Sequence, residues 1–544
     1  MEHVLIIGSG IAGMSCAIRC AEAGLRVTLV SPFPSERAQS VMAAGGINAV
    51  TASCEEGDSI ASHIEDTLRG GDFLAGREAV SGLCTQAEDI LKFLESIGTV
   101  FTREPSGRPA RRAFGGQSHK RTYFCGSSTG KQIVSALVME ARRHEAEGKI
   151  TRRLWSCFHS ALIRDGVCHG ALLFDEHTRQ LEAVYADTTV VATGGMNALL
   201  GKTTGSTQCD GYAAGKLFLQ GAVLKNLEFI QYHPTALETA QKKMLVSEAL
   251  RGEGGRLYYE ENGRRVYFLE DKYGPSGNLL TRDVISREMV LAGKPVFLDV
   301  SFLGKDVISR RFPEVRDLCL KYGGIDVSKE PIPVVPSVHF FMGGLAVRLN
   351  HETNIRNLFA VGECASIYHG ANRLGGNSLL SALYSGRRAA EEIAGRDAAA
   401  QAPDFSAFIR TEQENLQKIL TETSPFPVMY IRDLLAAAMN RSMGMVREEE
   451  SLKKGLEDTD HLISVADRIR YDSSVLPYFN YSLPGILAAG RASLACALAR
   501  KESRGAHYRS DYPKEDEQCR VPTLISYEGG AYRVRPDQEG AYES

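Results

Sequence analysis

The sequence predicts an α/β protein built around a Rossmann-like nucleotide-binding unit. Its first segment contains a predicted strand at Val4–Ile7, the glycine motif Gly8–Gly13 (GSGIAG), a helix to about Ala23 and a second strand at Val27–Val30. A strand, a GxGxxG turn, a helix and a strand in this order form the dinucleotide-binding fingerprint. A second strand, glycine loop and helix follow between 358 and 388. Both segments therefore predict nucleotide-type ligand binding.

The second segment reads LFAVGECASIYHGANRLGGNSLLSALYSGRR. We predict a buried strand at Leu358–Val361 and a helix at Ser378–Arg387, which begins just after Gly375-Gly376. The free N–H groups of such a helix N-terminus favour an anionic or electron-rich ligand, and Arg373 adds a cation to the loop. Taken alone, however, a Gly-Gly pair before a helix is as often only a turn.

The composition limits the classes of function open to the chain. Its 544 residues predict two or three domains, and a net charge of −3 provides no basic field for nucleic acid. No apolar run is long enough to cross a bilayer, so we expect any membrane association to come through a partner. Met1-Glu2-His3 leads directly into the first strand, so we expect no signal peptide and a cytoplasmic location.

The cysteines carry no metal signature. The chain has twelve of them, and they are scattered without a CxxC pair. This spacing indicates reduced thiols, as in cytosolic proteins. We therefore expect neither an iron–sulfur cluster nor a zinc or other metal site within this chain.

The glycines of the first motif have separate predicted roles. Gly8 permits the tight turn, Gly10 allows a pyrophosphate to approach the backbone, and Gly13 allows the helix to pack on the sheet. One position departs from the fingerprint, because Ser31 stands where an acid that binds the ribose is expected. We therefore expect the adenosine end of the ligand to be held differently, or by later residues.

The small residues from Ala38 to Ala49 include the pair Gly45-Gly46, which lets the backbone lie flat against a planar group. Here the chain resembles the flavoprotein subunits of fumarate reductase and succinate dehydrogenase, and their relative L-aspartate oxidase. The resemblance implies FAD as the cofactor. In the membrane-complex members, a histidine before this pair carries covalent FAD, whereas this chain has Gln39. Glutamine cannot form that bond, so we expect non-covalent FAD.

The hexad Phe114–His119 (FGGQSH) resembles the substrate-site segment of the fumarate and succinate enzymes. L-aspartate oxidase carries a glutamate for the amino group where this chain has Phe114, so the partner of an ammonium ion is missing. The arginines around the hexad, Arg111, Arg112 and Arg121, could also form an ordinary solvated face.

A second nucleotide signature follows a predicted β-meander at Leu162 to Val184. We predict a strand at Ala186–Ala192 that ends in Thr193-Gly194-Gly195, which resembles the turn that contacts the FAD diphosphate in this wider class. Asp210-Gly211 then opens a predicted helix that runs through Leu219. It is similar to the family's GDG segment, which implies an acid near the flavin.

The first of three further motifs is Leu227–Thr235, which we interpret as a strand broken by proline, with His233 at its end. Glu248 and Arg251 follow three residues apart, and Arg282 lies beside an acid. Each feature alone is more often structural than functional, since part-buried histidines and surface ion pairs are common. Together, however, they resemble the family's HPT, SExxRGEGG and RDV blocks in the same order.

The later blocks favour the dicarboxylate reductases. Residues 335–344 resemble the family's HxxMGG block and contain His339, and Glu363 matches a glutamate that contacts FAD. L-aspartate oxidase tends to have a cysteine before the Gly343-Gly344 pair that ends this block. It also tends to have Met-Ala-Ser in place of Leu374-Gly375-Gly376. Residues 502–513 resemble the ESRGAH and DYP segments of the membrane complexes.

The resemblance implies a Rossmann-like FAD-binding domain, an inserted α+β capping domain and a C-terminal helical domain. The predicted boundaries are 1–227 and 328–402 for the FAD-binding domain, 228–327 for the capping domain, 403–515 for the helical domain and 516–544 for a C-terminal tail. Predicted helices of the helical domain are Phe405–Leu420, Tyr430–Glu450 and Ile486–Lys501. The polar tail gives no structural signal.

The resemblance also implies roles in binding a four-carbon dicarboxylate, whose two negative charges need cations and donors at both ends. It assigns Arg373 and His339 to one carboxylate, and His233 with neighbouring backbone N–H groups to the other. The other predicted substrate-site residues are Phe114, Ser247 and Gly45.

Proton transfer is assigned in the same way. Arg282 is the implied proton donor, with Glu248 and Arg251 as a relay to solvent. The residues expected to contact FAD are Gly8, Gly10, Ile11, Ala12, Gly13, Ser31, Ser40, Gly45, Gly46, Ala192, Thr193, Gly194, Asp210, Glu363, Arg373, Ser378 and Leu379.

The resemblance implies interconversion of fumarate and succinate, with hydride delivered by reduced flavin. Covalent attachment makes FAD a better oxidant in this family, so its loss at Gln39 favours fumarate reduction. We expect electrons from an iron–sulfur subunit, which could connect the chain to membrane anchors. The alternatives are L-aspartate oxidase, disfavoured by Phe114 and Leu374-Gly375-Gly376, and a flavin-binding electron-transfer subunit without substrate chemistry, disfavoured by the retained arginines and histidines.

Overall fold

The structure is a computed structural model that describes residues 2–52, 54, 57–396, 402–421, 427–466, 468, 472, 474–538 and 540–542. Its helices are α1 (Ile11–Glu22), α2 (Ile60–Gly70), α3 (Arg77–Thr85), α4 (Ala87–Ser96), α5 (Thr129–Ala146), α6 (Tyr212–Leu219), α7 (Ala249–Gly252), α8 (Phe268–Tyr273), α9 (Arg282–Ala292), α10 (Gly304–Arg311), α11 (Pro313–Gly323), α12 (Asn377–Ala394), α13 (Ser406–Thr421), α14 (Val428–Ser442), α15 (Glu449–Ala466), α16 (Pro477–Tyr481) and α17 (Leu483–Ala499).

The strands are β1 (His3–Ile7), β2 (Arg26–Ser31), β3 (Ile47–Asn48), β4 (Arg111–Arg112), β5 (Thr122–Tyr123), β6 (Ile150–Leu154), β7 (Ser156–Arg164), β8 (Val167–Asp175), β9 (Gln180–Tyr185), β10 (Thr188–Val191), β11 (Leu224–Lys225), β12 (Ile230–Glu238), β13 (Lys243–Leu245), β14 (Arg256–Glu261), β15 (Arg264–Val266), β16 (Val296–Asp299), β17 (Ile332–Phe341), β18 (Gly344–Ala346), β19 (Leu358–Ala360), β20 (Ala365–Ser366), β21 (Thr523–Glu528) and β22 (Ala531–Pro536).

The predicted Rossmann-like unit is a parallel sheet with the strand order β19-β10-β1-β2-β6. Its central strand β1 is buried on both faces, as expected for an apolar strand in a parallel sheet. Ile7 lies opposite Val30 on one side and Val191 on the other, so these strands end at the same edge. The α/β fold class is confirmed, and this edge brings Gly8 and Ser31 together.

Helix α1 packs closely against the start of its own motif. A Cβ atom at Gly13 would lie 1.9 Å from the carbonyl oxygen of Gly8, and a Cβ at Gly386 would lie 2.4 Å from that of Ala12. Only glycine allows these approaches without movement of the backbone. The close helix–strand packing that the fingerprint requires is therefore present at Gly13.

The capping domain contains an antiparallel sheet with the order β13-β12-β17-β16-β14-β15. It has a core of its own, which includes Leu257, Leu269 and Leu298. The sheet extends past the predicted boundary at 327, because β17 pairs with β12 on one side and β16 on the other. The strand that leads back to the FAD-binding domain therefore also belongs to the capping sheet.

The prediction that proline breaks the strand at His233 is wrong. Strand β12 continues through Pro234 to Glu238, and its register against β17 shifts between His233 and Ala236. Proline has no N–H to donate, and such an irregularity accommodates it within a sheet. His233 consequently lies inside a long buried strand.

The C-terminal region is helical, but the predicted helix Tyr430–Glu450 is wrong. Helix α14 ends at Ser442, before Gly444, and a separate helix, α15, starts at Glu449. The prediction extended the first helix beyond its observed end and missed that α15 is a separate helix. In the described part of the chain, no helix combines the length and the apolar character that a bilayer span requires.

The tail predicted at 516–544 contains ordered structure. Strands β21 and β22 form a hairpin that extends the sheet β20-β18-β11-β21-β22, with Leu224 opposite Ile525. The hairpin was missed because its partner, the short strand β11, lies about 300 residues earlier in the chain. Its apolar residues Leu524 and Ile525 are fully buried.

A buried ion cluster joins the C-terminal region to the base of the capping domain. Arg500 Nε donates to Glu228 at 2.7 Å and its Nη1 donates to Glu502 at 2.8 Å. Arg504 Nε donates to Glu502 at 2.9 Å, and both glutamates are fully buried. Because the charges are paired, this network links the segment 500–504 to the start of β12.

We predict that Gly215→Ala destabilises the protein by about 1–3 kcal/mol, the usual effect of overpacking a core. A Cβ at this position of α6 would lie 1.8 Å from the carbonyl oxygen of Gly485, where α17 crosses. Urea unfolding of the holoprotein measures the effect. Gly395→Ala is the matched control, since its Cβ has no neighbour closer than 3.7 Å. Equal stability of the two variants would contradict this packing.

Candidate active site

A cavity of about 840 Å³ lies at the carboxyl ends of the parallel strands and reaches residues of the capping domain. Open α/β sheets bind ligands at this edge, and the volume suits a large organic cofactor together with a small substrate. The nucleotide motif lines one end of the cavity. The predicted substrate residues line the other.

The nucleotide end is shaped by close backbone contacts. Gly8 has φ +113°, and a Cβ there would lie 2.3 Å from the carbonyl oxygen of Ala192. No side chain caps α1 at Gly10, and the Ile11 N–H donates to Ser40 Oγ at 3.2 Å. Gly10 itself supplies no capping side chain, so the remaining N–H groups of the helix N-terminus present partial positive charge to a phosphate group.

The middle of the cavity fits a planar, polar ring. Gly45 and Gly46 line it, and a Cβ at Gly46 would lie 2.4 Å from the carbonyl oxygen of Tyr123. Gln39 Oε1 is buried without a hydrogen-bond partner. Helix α12 begins after Gly376 without a side-chain cap. This wall of small residues and free polar groups fits the flavin half of FAD.

Every residue predicted to contact FAD lines the cavity except Gly13, which instead packs against Gly8.

Two acids that line the cavity, Glu363 and Asp210, differ in their hydrogen-bond partners. Glu363 accepts from the Phe341 N–H at 3.0 Å, and burial raises the pKa of its carboxyl to about 7. Asp210 already accepts from Arg432 at 2.7 Å and from Tyr478 at 2.9 Å. Its carboxylate is therefore held by the helical domain.

The substrate end contains a buried charge cluster, which we define as Glu248, Arg251, Arg282 and Arg373. Arg282 Nε donates to Glu248 Oε2 at 2.8 Å. Arg373 approaches from the FAD-binding domain. Its guanidinium lies over the Phe340 ring at 4.4 Å, and its Nε has no hydrogen-bond partner.

Gln231 joins the two arginines that come from different domains. Its Oε1 accepts from Arg282 Nη1 at 3.0 Å and from Arg373 Nη2 at 2.8 Å. Its Nε2 donates to Asn372 Oδ1 at 2.7 Å, which fixes the orientation of the amide. Sequence reasoning missed Gln231. The available signal was its position two residues before His233 in the same strand.

Arg251 lies behind Glu248 and does not line the cavity. Its Nη2 is 3.5 Å from Glu248 Oε1, and its Nη1 donates to the Asn278 carbonyl oxygen at 2.6 Å. The side chain is 1% exposed, so it makes no direct contact with solvent. Burial opposes ionisation of Glu248, but the charges of Arg282 and Arg251 lower its pKa to about 2.

The two histidines of the site are neutral at physiological pH. Burial, together with the charge of Arg282, lowers the pKa of His233 and His339 well below the usual value. Their rings are 5.2 Å apart, and Thr204 Oγ1 lies 3.1 Å from His339 Nδ1. Neutral imidazoles supply hydrogen-bonding groups but no charge, so the positive charge of the cluster comes from its arginines.

Phe114 forms an apolar wall next to the charges. Its side chain is 6% exposed, and its ring carbons lie 3.5 Å from where a Cβ at Gly45 would be. A Cβ at Gly375 would lie 2.8 Å from Phe114 Cβ. Ser247 also lines the cavity, and its hydroxyl accepts from the Ala249 N–H at 3.3 Å.

The suggestion of a solvated arginine face is wrong for Arg121. This side chain is fully buried and pairs with Asp66 at 2.6 Å and with Asp58 at 2.8 Å. Arg111 and Arg112 are half-buried. Gln117, in the same hexad, donates to the Gly375 carbonyl oxygen at 3.0 Å. The hexad and the charges beneath it therefore support the loop that carries Arg373.

The fold and the cavity define a flavoprotein oxidoreductase with a capped active site. The FAD binding domain family matches residues 3–379, and the Fumarate reductase flavoprotein C-term family matches residues 432–538. The chain therefore belongs to the succinate dehydrogenase and fumarate reductase flavoprotein family, and it is an FAD-dependent oxidoreductase. The resemblance stated from the motifs is confirmed, as is FAD as the cofactor.

Individual relatives cover nearly the whole chain. The succinate dehydrogenase flavoprotein subunit of Bacillus subtilis is 35% identical, over 98% of this chain and 95% of that protein. The L-aspartate oxidase of Pyrococcus furiosus is 33% identical, over 96% of this chain and 99% of that protein. A solved chain of E. coli quinol fumarate reductase superimposes with a TM-score of 0.91 at 30% identity, covering 98% of this chain and 97% of that chain.

Proposed function

We propose that the chain is the catalytic flavoprotein subunit of a fumarate reductase, which converts fumarate to succinate. The observation that carries this proposal is the charge cluster. Arg251 and Arg282 both pair with Glu248, and Arg373 donates to the Gln231 amide oxygen rather than to a carboxylate, so the cluster carries two positive charges in excess. Buried charge is costly unless it is paired, and a dicarboxylate brings two negative charges.

The two carboxylates of the substrate would bind different groups. Arg373 has a free Nε donor, and we assign it with His339 to one carboxylate. His233 and the backbone near Ser247 would bind the other. Thr204, through its contact with His339, would keep that ring turned towards the substrate. Phe114 would exclude water from the carbon atoms between the two ends.

Arg282 is the proposed proton donor. FAD, when bound, supplies the hydride for the other carbon of the double bond. Arg282 Nε donates to Glu248, which is ionised at neutral pH, so Glu248 would take a proton from Arg251 and pass it on to Arg282 after Arg282 has given up its own. Arg251, on the far side of Glu248, would complete the resupply, although its buried position requires a further step to reach solvent.

The direction of reaction and the partner are part of the proposal. Gln39 cannot form the covalent bond to FAD, which supports a non-covalent cofactor and fumarate reduction. The similarity to a chain of quinol fumarate reductase supports electron delivery by an iron–sulfur subunit, and peripheral attachment to membrane anchors through it on the cytoplasmic side. The match of the C-terminal region to the fumarate reductase flavoprotein family supports the same partner.

L-aspartate oxidase is the second candidate, since a relative with that name is 33% identical. Its substrate carries an ammonium group, which needs a carboxylate partner in the site. At the corresponding position this chain has Phe114, buried against Gly375. Hydrogen peroxide and iminoaspartate formed from L-aspartate would favour this candidate over fumarate reduction.

We predict that Arg282→Ala keeps FAD and lowers fumarate turnover by at least about a hundredfold, the usual contribution of a positioned proton donor. Fumarate-dependent oxidation of reduced viologen by the holoprotein measures turnover, and flavin absorbance measures FAD content. Arg287→Ala is the matched control, because this residue lies further along α9 and contacts the Tyr508 ring instead. Near-normal turnover of Arg282→Ala would remove Arg282 from the mechanism. No turnover in the unmodified protein would favour the non-catalytic alternative.

We predict that acid precipitation releases all the FAD into the supernatant, because Gln39 offers no nucleophile for a covalent bond. Absorbance at the flavin maximum of the supernatant and of the redissolved pellet measures the distribution. Flavin that stays with the precipitated chain would contradict the non-covalent assignment.

A further inference from the structure

The adenosine end of the cavity lacks the acid that the dinucleotide fingerprint places after the second strand. Ser31 stands at that position, and its hydroxyl donates to the carbonyl oxygen of Phe33, two residues on. An adenosine group presents O–H donors on its ribose and an N–H donor on its adenine ring, and these need acceptors in a buried site. The residue at the fingerprint position therefore supplies no carboxylate acceptor for the adenosine group.

A carboxyl group from another part of the chain reaches the same edge. Ser31, at the end of β2, lies opposite Leu154 at the end of β6. The next residue, Trp155, forms the corner into β7, and its carbonyl oxygen accepts from the Glu176 N–H at 2.9 Å. Glu176 follows directly after β8, so the meander β7-β8-β9 brings it next to the corner that follows β6, the strand paired with β2.

The surroundings of Glu176 leave part of its carboxyl without a protein partner. Glu176 lines the cavity together with Ser31, Trp155 and Cys157. The Cys157 thiol donates to Oε1 at 3.5 Å, whereas Oε2 is buried without a hydrogen-bond partner. Burial also raises the pKa of this carboxyl. A buried acceptor without a donor is costly, and a ligand donor removes that cost.

We propose that Glu176 binds the adenosine half of FAD, and that it replaces the acid missing at Ser31. Its carboxylate accepts a hydrogen bond from a ribose hydroxyl or from the adenine amino group. The Cys157 thiol holds the other carboxyl oxygen, and the Trp155 carbonyl fixes the backbone. This role concerns recognition of the cofactor, so it holds whichever substrate the enzyme reduces or oxidises.

The test compares FAD with FMN, which lacks the adenosine half. Full-length protein is freed of flavin and titrated with each flavin, and the change in flavin fluorescence gives the dissociation constant. Glu176→Gln should weaken FAD binding by about tenfold or more, since hydrogen bonds to charged groups are strong, and leave FMN binding unchanged. Glu176→Ala should behave in the same way.

Two further measurements separate ligand contact from a structural role. In the unmodified protein FAD binding should weaken as the pH falls through the raised pKa of Glu176, because protonation replaces the carboxylate acceptor. Glu363 also lines the cavity and would affect the binding of both flavins, so the Glu176→Gln variant should lose only the part of the pH dependence that FAD shows and FMN does not. Glu182→Gln is the matched control, since Glu182 lies on β9 of the same meander and pairs with Arg153 at the surface. Unchanged FAD affinity in both Glu176 variants would overturn the proposal, as would an equal loss for FAD and FMN.

Discussion

The active site depends on an excess of buried positive charge. Arg251 and Arg282 pair with Glu248, Arg373 donates to Gln231 beside them, and the neighbouring histidines add no charge because burial keeps them neutral. Desolvated charges that are not fully paired cost free energy, so the cluster needs an anionic ligand to complete it. The fold keeps these charges together, and under the proposed function their cost would favour binding of a doubly charged acid.

The cluster can form only where the two domains meet. Arg282 begins a helix of the capping domain, whereas Arg373 comes from the glycine loop of the FAD-binding domain. Gln231 accepts from both, and the buried hexad network around Arg121 supports the loop from below. The substrate end of the cavity is therefore built from side chains of both domains, and Gln231 holds them together.

The local signals in the sequence predicted most of the fold. The Rossmann-like unit, the glycine turns and the charged motifs each lie within a short stretch, so their pattern could be recognised. Two errors are local, namely the strand break at Pro234 and the single helix predicted across α14 and the start of α15. The other errors concern contacts between distant residues. The burial of Arg121 depends on Asp58 and Asp66, the hairpin β21-β22 depends on β11, and Gln231 gains its role only from two arginines that converge on it. Spacing along the chain carries no information on such pairs, and a charge run at the surface has the same sequence as one that is buried in pairs.

The central claim is that the cluster binds a dianion by its charge. Titration of the holoprotein with fumarate and with monomethyl fumarate, followed by the flavin absorbance, tests this most directly. The two ligands share their carbon skeleton and differ by one negative charge. The account predicts that fumarate binds at least about a hundredfold more tightly, because the monoester leaves one end of the cluster unpaired. Equal dissociation constants for the two ligands would contradict it.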